Sequence, residues 1–567
     1  MPRIPADAQV TIVFAQNREA VVAAELPRPY VAVLPDPEQF NDFGRIYLAR
    51  MMCAGLDGPP TIFRFRLMVR GFNRTSDAMA EILGGADIRP IAEVQPEFAT
   101  LLPQRDQYRQ IVSKLGFEAA IASLRRLGDA VVVKIEDQDQ PRLELIRSRD
   151  FHLGIIRAGG AFSALKRGSR YFRQVMPRDV QDAAHGQLRF TAQLRSAQNR
   201  YELDLDFGED PIFKTRTNVL IGKNGTGKTQ LLKAMIDALT TADPNRPADN
   251  APAFDPPLEV SRVIVFSSVP YDPFPKQIGA WLGIDYEHFA VNYAERDRPD
   301  TLLESLVTCV RDDDDRRLAQ VENDDDRIDI LRNGLTAIGI WHQIYLPLVP
   351  PEADEGLPHE VEIEGRHYFP IGRRLGEQNT LFLLQRIDWN RMPIVLDGDL
   401  QVRALSSGEI SLVRLTAQLV ASIEQGSLLI LDEPENHLHP NFVSDIMGLL
   451  QYLLEATRSV AIIATHSAYV VREVPRDQVH VLTLEDRDIQ IVRPRMQTFG
   501  ASIDTISQFV FGDTNLTHRY QDRLEAWADE VGQGIGIDAV IAQFGDQLNA
   551  ESLSIIAERL KQNDAGN

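Results

Sequence analysis

The sequence predicts an α/β protein: a head of parallel strands and helices around a phosphate-binding loop, carrying a helical insert and preceded by a separate α/β module. Three observations predict it. Gly222 to Thr229 reads GKNGTGKT, between a short apolar run, Thr217 to Ile221, and a helical pattern, Gln230 to Leu239. Ser427 to Leu431 is an unbroken apolar run ending in Asp432 and Glu433, as expected for a buried parallel strand. Residues 1–185 hold strand and helix patterns of their own.

Composition bounds the answer before any motif does. A chain of 567 residues predicts a core domain plus at least one further module. Its 44% hydrophobic and 25% charged content is that of an ordinary globular protein. The longest apolar runs fall far short of the ~20 residues that span a bilayer, and MPRIPADAQV lacks an apolar stretch of signal-peptide length. Cys53 and Cys309 are too few for a disulfide framework or a zinc site. A cytoplasmic location without membrane contact is the expectation. The net charge of −21 argues against broad adhesion to DNA by one subunit, because phosphate neutralisation drives such binding. The acidic runs Asp312–Asp315 and Glu322–Asp326 read as solvated surface.

In the N-terminal module, Val10 to Phe14, Tyr30 to Leu34, Phe63 to Val69 and Val131 to Ile135 read as strands. Ser76 to Leu83 and Gln107 to Leu127 read as helices. Asp129, Lys134 and Glu136 have the residue types of a nuclease core but poor spacing, and read instead as a strand flanked by exposed charges. Arg157, Lys166, Arg167, Arg170 and Arg173, interleaved with Phe162, Tyr171 and Phe172, read as solvated surface more than as a nucleic-acid patch.

The first lobe of the head spans 186–274. Leu188 to Ala192 and Tyr201 to Phe207 alternate, as antiparallel strands do. The phosphate loop follows: Gly222, Lys223, Asn224, Gly225, Thr226, Gly227, Lys228 and Thr229. Its glycines let backbone N–H groups turn toward phosphate oxygens, and the helix N-terminus adds partial positive charge. Lys228 is placed to bridge the β- and γ-phosphates and Thr229 to ligate magnesium, which makes ATP and Mg2+ the expected cofactors. Pro244 to Pro257 reads as a surface loop. Residues 275–400 read as a compact helical insert, with helices over Thr301 to Arg311 and Arg327 to Ile344 and no sustained heptad.

The second lobe spans 401–515. Leu405-Ser406-Ser407-Gly408-Glu409 is a polar turn, and the helix after it presents Ile410, Val413, Leu415, Leu419 and Val420 as its apolar face. Gln425-Gly426 ends that helix before the strand that delivers Asp432 and Glu433. Ligands of open α/β sheets bind at that end of the strands. One carboxylate there can hold the water shell of a metal and the other can polarise an attacking water. Pro434 stops the strand, and Pro440 suits the first turn of the next helix.

GKNGTGKT, LSSGE, LLILDEPENHLHP and AIIATHS, in this order, resemble the ABC-type ATPases over roughly residues 187–515. The resemblance implies that Ser406, Ser407 and Gly408 are the signature that caps ATP bound by a facing subunit. It implies that Asp432 is the Walker B aspartate, Glu433 the catalytic carboxylate, Asn436 to Pro440 the D-loop and His466 the switch histidine. DEPENHLHP is similar to soluble RecF-, SMC- and OLD-like ATPases, including bacterial antiphage ATPases of the Septu type. Ser407 replaces the second signature glycine, and no Q-loop glutamine is identifiable in Ser267 to Asp272. The resemblance also implies an aromatic of residues 188–207 against adenine. It further implies a homodimer or higher even oligomer that regulates a separate effector protein, a nuclease or toxin. The alternative is a RecF-like DNA-repair or DNA-clamping ATPase, which leaves nucleic acid open as a partner. Val479 to Leu484 and Ile489 to Val492 read as a strand pair, and residues 516–567 as C-terminal helices with Leu524, Trp527, Ala528 and Val531 in register.

Overall fold

The structure is a computed structural model. It describes the chain except residues 1–9, 38–44, 95–96, 137, 157–158, 173–179, 181, 184–185, 195–196, 209–215, 241–250, 269–271, 277–283, 291–300, 312–325, 337–338, 352–355, 374, 376, 437, 512–518, 531–535, 546 and 567. Met1–Ala501 forms one compact unit and Ser502–Asn567 a second.

The N-terminal module is a six-stranded sheet in the order Ile88–Pro90, Thr11–Ala15, Tyr30–Pro35, Leu48–Ala54, Thr61–Val69, Phe98–Leu101. Thr11–Ala15 and Tyr30–Pro35 run parallel, and the other pairs are antiparallel. Alternation along Thr61–Val69 sends Phe63, Phe65 and Leu67 inward, where they share a core with Tyr108, Ile121 and Phe151 of the helical layer. Four expectations change here.

Val131 to Ile135 is not a strand but lies in the helix Ala130–Glu136. The Asp129 carboxylate accepts a hydrogen bond from the Val131 N–H at 3.0 Å, which starts a helix, and the short apolar run is buried against other helices. Gln107 to Leu127 is two helices, Arg105–Leu115 and Phe117–Arg126, because Gly116 sits at φ 80° between them. The basic stretch is in part interior: Arg167 is 4% exposed and pairs with Glu424 of the head at 2.7 Å, while Lys166 pairs with Glu304 of the insert. Arg157, Arg173 and the side chain of Arg170 lie outside the described residues.

Asp129 is buried and accepts the Tyr108 hydroxyl at 2.9 Å, while Glu136 pairs with Arg125 at 2.6 Å. The two carboxylates are thus spoken for separately, and Asp129 is no exposed flanking charge. Burial, against the opposing hydrogen bonds, pushes the Asp129 carboxyl up to about 7. The folded module therefore holds a proton that the unfolded chain releases near pH 4. That contribution is full below about pH 4 and is lost as pH rises to about 7. Melting curves across this window should show the gap between the parent and Asp129→Asn changing with pH; a constant gap would contradict the assignment.

The head is a seven-stranded sheet in the order Asp285–Ala290, Arg262–Ser267, Ser427–Asp432, Val460–Thr465, Thr217–Gly222, Val479–Glu485, Asp488–Val492. All pairs are parallel except the last hairpin. Ser427–Asp432 and Val460–Thr465 are buried throughout, which is why they read as unbroken apolar runs. A second sheet pairs Gln187–Ala192 with Tyr201–Asp206 and adds Ala253–Asp255, so part of the expected Pro244 to Pro257 loop is a strand. Phe254 joins that sheet because it packs on Phe190, ring centroids 4.6 Å apart. Ile410, expected on the apolar face of its helix, is 38% exposed, whereas Val413, Leu415, Leu419 and Val420 are buried.

The insert contains the helices Thr301–Arg311 and Arg327–Thr336, both packed on the helix Ser407–Ser422. It is not helical throughout. A four-stranded antiparallel sheet, ordered Val361–Ile363, Arg366–Pro370, Ile344–Leu348, Ile394–Val395, follows the shortened second helix. The β-branched and aromatic run Ile344-Tyr345-Leu346 favours a largely buried strand over a continued helix. Of the acidic runs only Asp326 is described. Among the described residues no helix is long and apolar enough to cross a membrane.

The second unit consists of the helices Ile503–Phe511, Arg519–Glu530, Ile537–Phe544 and Ala550–Gly566. Ala528, Val540, Ile556 and Leu560 form its core, with Leu524 and Trp527 packed against it, and Arg559 pairs with Asp529 at 2.7 Å. Val531 lies outside the described residues.

Candidate nucleotide-binding site

The loop Gly222–Thr229 joins the strand Thr217–Gly222 to the helix Lys228–Thr240. Gly225 and Gly227 sit at φ 89° and 87°, a region closed to most side chains, so the turn depends on glycine there. The Lys228 ammonium, 5% exposed as a residue, donates to the carbonyls of Gly222 at 2.8 Å and Lys223 at 3.3 Å. Burial pulls its pKa down, against the raising influence of Glu433, Asp432 and Glu435. Tyr201 supports the loop from the antiparallel sheet: its hydroxyl donates to the Thr226 carbonyl at 3.0 Å. Tyr201, Phe190 and Phe207 are all buried, so the expected adenine-stacking aromatic does not come from these three.

Parallel register brings the remaining groups to the same edge. Asp432 stands opposite Ser267 on one side and Ala464 on the other, and Thr465 stands opposite Ile221. The Thr229 hydroxyl lies 2.9 and 3.1 Å from the two Asp432 oxygens. This hydroxyl and carboxylate form an oxygen-only pair suited to a hard divalent cation. Burial pushes Asp432 up to about 7, the Thr229 hydrogen bond opposing it, and a bound cation would offset that desolvation. Among the described residues no group of three or more His, Cys, Asp or Glu side chains is placed to hold a metal. Where a Q-loop would lie, the Ser268 N–H donates to the Asp432 carbonyl at 3.1 Å; residues 269–271 are outside the described residues. Asp272 accepts from His288 at 3.2 Å.

Glu433 adopts φ 52°, in the left-handed region, and its N–H donates to the Ala464 carbonyl at 2.8 Å. Such backbone strain clusters at functional sites. Asn436 donates to its carboxylate at 2.9 Å, and His466 Nδ1 lies 3.5 Å from Glu433 Oε1. Glu435, which the motifs did not single out, holds this histidine. It is 8% exposed and lies 3.5 Å from His466 Nδ1, 3.2 Å from the His466 N–H and in hydrogen-bond contact with Thr465. Burial raises its pKa, the Thr465 hydrogen bond opposing. Nothing in Asp-Glu-Pro-Glu-Asn distinguishes this third acid; its contacts to Thr465 and to the His466 N–H do. His437 is outside the described residues.

Ser406 caps the helix Ser407–Ser422 in a reciprocal capping box with Glu409, at 3.3 and 2.8 Å. Arg403 braces Glu409 at 3.0 Å. Ser406 and Ser407 are exposed and Gly408 is half-buried. The recorded side-chain hydrogen bonds of Ser406 run to Glu409 and none to 222–229. The structure thus gathers Lys228, Thr229, Asp432, Glu433 and His466 at one sheet edge and presents the Ser406–Gly408 loop outward.

Residues 395–472, which include that loop, both carboxylates and His466, match the family described as "AAA domain, putative AbiEii toxin, Type IV TA system". Protein ea59 of Escherichia phage lambda is 24% identical over 369 residues, 62% of this chain and 64% of that protein. The chain therefore spans just under two thirds of the length of this relative. Among solved structures, the SMC head domain from Thermotoga maritima is 13% identical, with a TM-score of 0.26 over 55% of this chain and 99% of that one. UvrA2 from Deinococcus radiodurans is 16% identical, with a TM-score of 0.27 over 54% and 36%. The phosphate loop between strand and helix, the carboxylates at the neighbouring strand end and the family match together make the head a P-loop ATPase-type domain.

Proposed function

We propose that the head hydrolyses ATP between two copies of the chain, and that this cycle switches a separate toxic or nucleolytic effector in bacterial defence against phage. The observation that carries the chemistry is the meeting of Glu433, His466 and the Thr229–Asp432 pair at one strand edge beside Lys228. In this reading Glu433 polarises the attacking water, Asn436 and His466 orient that carboxylate, and Glu435 positions His466. Lys228 binds the β- and γ-phosphates. Thr229 and, through water, Asp432 are the residues for magnesium, which when bound offsets the charge on the phosphates.

Assembly follows from the outward signature. Ser406 and Ser407 are exposed and are flanked by exposed apolar Leu400, Val402 and Ile410, so a facing copy would cover both. The defence setting draws on the toxin–antitoxin wording of the matched family and on the phage origin of the relative. The N-terminal module is tied to the C-terminal end of the signature helix through Arg167 and Glu424, which supports a module that follows the ATP state and carries the partner.

Lys228→Ala should weaken ATP binding by about 10- to 100-fold, the cost of one charge-assisted phosphate contact. Light scattering of the full chain with ATP should show even oligomers that this variant fails to form. Strictly monomeric, fully active protein would overturn the assembly. Co-purification from the native operon with and without ATP should return a protein effector; return of DNA alone would overturn the effector reading.

A further inference from the structure

We propose that the small sheet of the insert holds a binding site for a small oxyanion, a phosphate ester or a carboxylate, and that its occupancy is felt at the Ser406–Gly408 loop. A cavity of about 370 Å³ opens there, large enough for a small metabolite, lined by His342, Tyr345, His359, Val361, Gly372 and Arg373. Its polar side carries the donors of a guanidinium, two imidazoles and a phenol beside one carboxylate, Glu360. Arg373 makes no ion pair among the described residues.

A second observation concerns the wall behind Gly372. The Trp341 indole N–H is buried, 3% of the residue being exposed, and has no hydrogen-bond partner among the described residues. A Cβ on Gly372 would lie 3.1 Å from Trp341 Nε1 and 3.2 Å from His342 Nδ1. Both ring nitrogens therefore lie against the backbone of residue 372, where a side chain would crowd them. A buried donor left unpaired costs free energy, and an oxyanion that reaches the indole N–H past Gly372 would satisfy it.

The one carboxylate in the lining does not oppose an anion. Glu360 already accepts two bonds from Arg386 at 2.6 Å, one from His367 at 2.6 Å and one from the Leu357 N–H at 2.8 Å. Its charge is neutralised, and the cluster stiffens the wall. Neighbouring His359 holds φ 68°, the left-handed strain typical of ligand clamps.

Contacts lead from this wall to the signature. Trp341–Gln343 form one 3-10 turn. Gln343 Oε1 accepts from Arg403 Nε at 3.2 Å, and Arg403 pairs with Glu409, the partner of Ser406 in its capping box. An anion that draws on Trp341 and His342 therefore pulls on the turn that braces Arg403. This regulatory half rests on the ATPase reading of the head; the binding half does not.

The test is a calorimetric titration of the full chain, without ATP, using inorganic phosphate, ribose 5-phosphate and succinate separately. At least one should bind, the phosphates and the carboxylate separating the two sources of oxyanion. Binding should weaken about 10-fold or more in Arg373→Ala, and likewise in Gly372→Val, whose side chain crowds the two ring nitrogens. Melting temperatures check that both variants fold. Failure of all three anions to bind the parent, or equal binding by folded variants, overturns the site. The bound anion should also change ATP turnover, by roughly 5- to 150-fold for typical coupling. Gln343→Leu should keep the binding and lose that response. A full response in Gln343→Leu overturns the coupling. A parent that hydrolyses no ATP sinks the reading of the head, while the titration still decides the site.

Discussion

Glu433→Gln turns over ATP about 10²–10⁴-fold more slowly than the parent while binding ATP with similar affinity, as expected when a general base is lost. The amide keeps the shape and can still meet Asn436 and His466, so the strand end and the left-handed turn at φ 52° stay in place. What it cannot do is take the proton of an attacking water. Lys228, Thr229 and Asp432, the groups assigned to phosphate and metal, are untouched. Steady-state phosphate release with a fluorescent-nucleotide titration separates turnover from binding. Turnover at the parental rate would remove Glu433 from the chemistry. Glu435→Gln is the companion: it is assigned to position His466, so it should lower turnover less than Glu433→Gln and leave ATP affinity alone.

Glu424→Leu loses about 3–5 kcal/mol of local stability, because it takes a buried carboxylate away from two buried guanidinium groups. Glu424 is 7% exposed and lies 2.7 Å from Arg167 of the N-terminal module and 3.6 Å from Arg262 of the head. Arg262 keeps Asp285 at 2.9 Å and Glu287 at 3.3 Å, and the buried Arg167 loses the Glu424 carboxylate at 2.7 Å. Hydrogen exchange of Gly159–Arg167 and Ser407–Ser422 should speed up by about 100-fold or more, since each tenfold corresponds to ~1.4 kcal/mol. The double variant Glu424→Leu with Arg167→Met should recover much of the loss, an apolar pair of similar volume being often no worse than the ions. Unchanged exchange in the single variant would show that the cluster does not hold module to head.

Local order along the chain was enough wherever one interaction dominates. GKNGTGKT announces itself because positive-φ turns demand glycine and phosphate demands Lys and Thr at set spacing. Ser427–Asp432 reads as a strand because a fully buried parallel strand admits only apolar residues. The turn at Leu405–Glu409 reads as one because its polar residues and glycine act locally, and the structure closes it with the capping box of Ser406 and Glu409.

Tertiary packing decided what depends on exposure and on distant neighbours. Val131 to Ile135 has no period long enough to choose between strand and helix, and Asp129 with the surrounding helices made the choice. Lys166 and Arg167 look like solvent-facing cations in sequence, yet their partners, Glu304 and Glu424, belong to the insert and the head. Glu435 is set apart from its neighbouring acids by accepting from Thr465 and from the His466 N–H, residues of the next strand and its end. The insert's sheet hid behind a helical reading because its strands are short and close only by pairing with one another, Ile344–Leu348 at the centre. Side-chain chemistry is written residue by residue, but dielectric, partner and pKa belong to the neighbourhood, and only the folded chain assembles that.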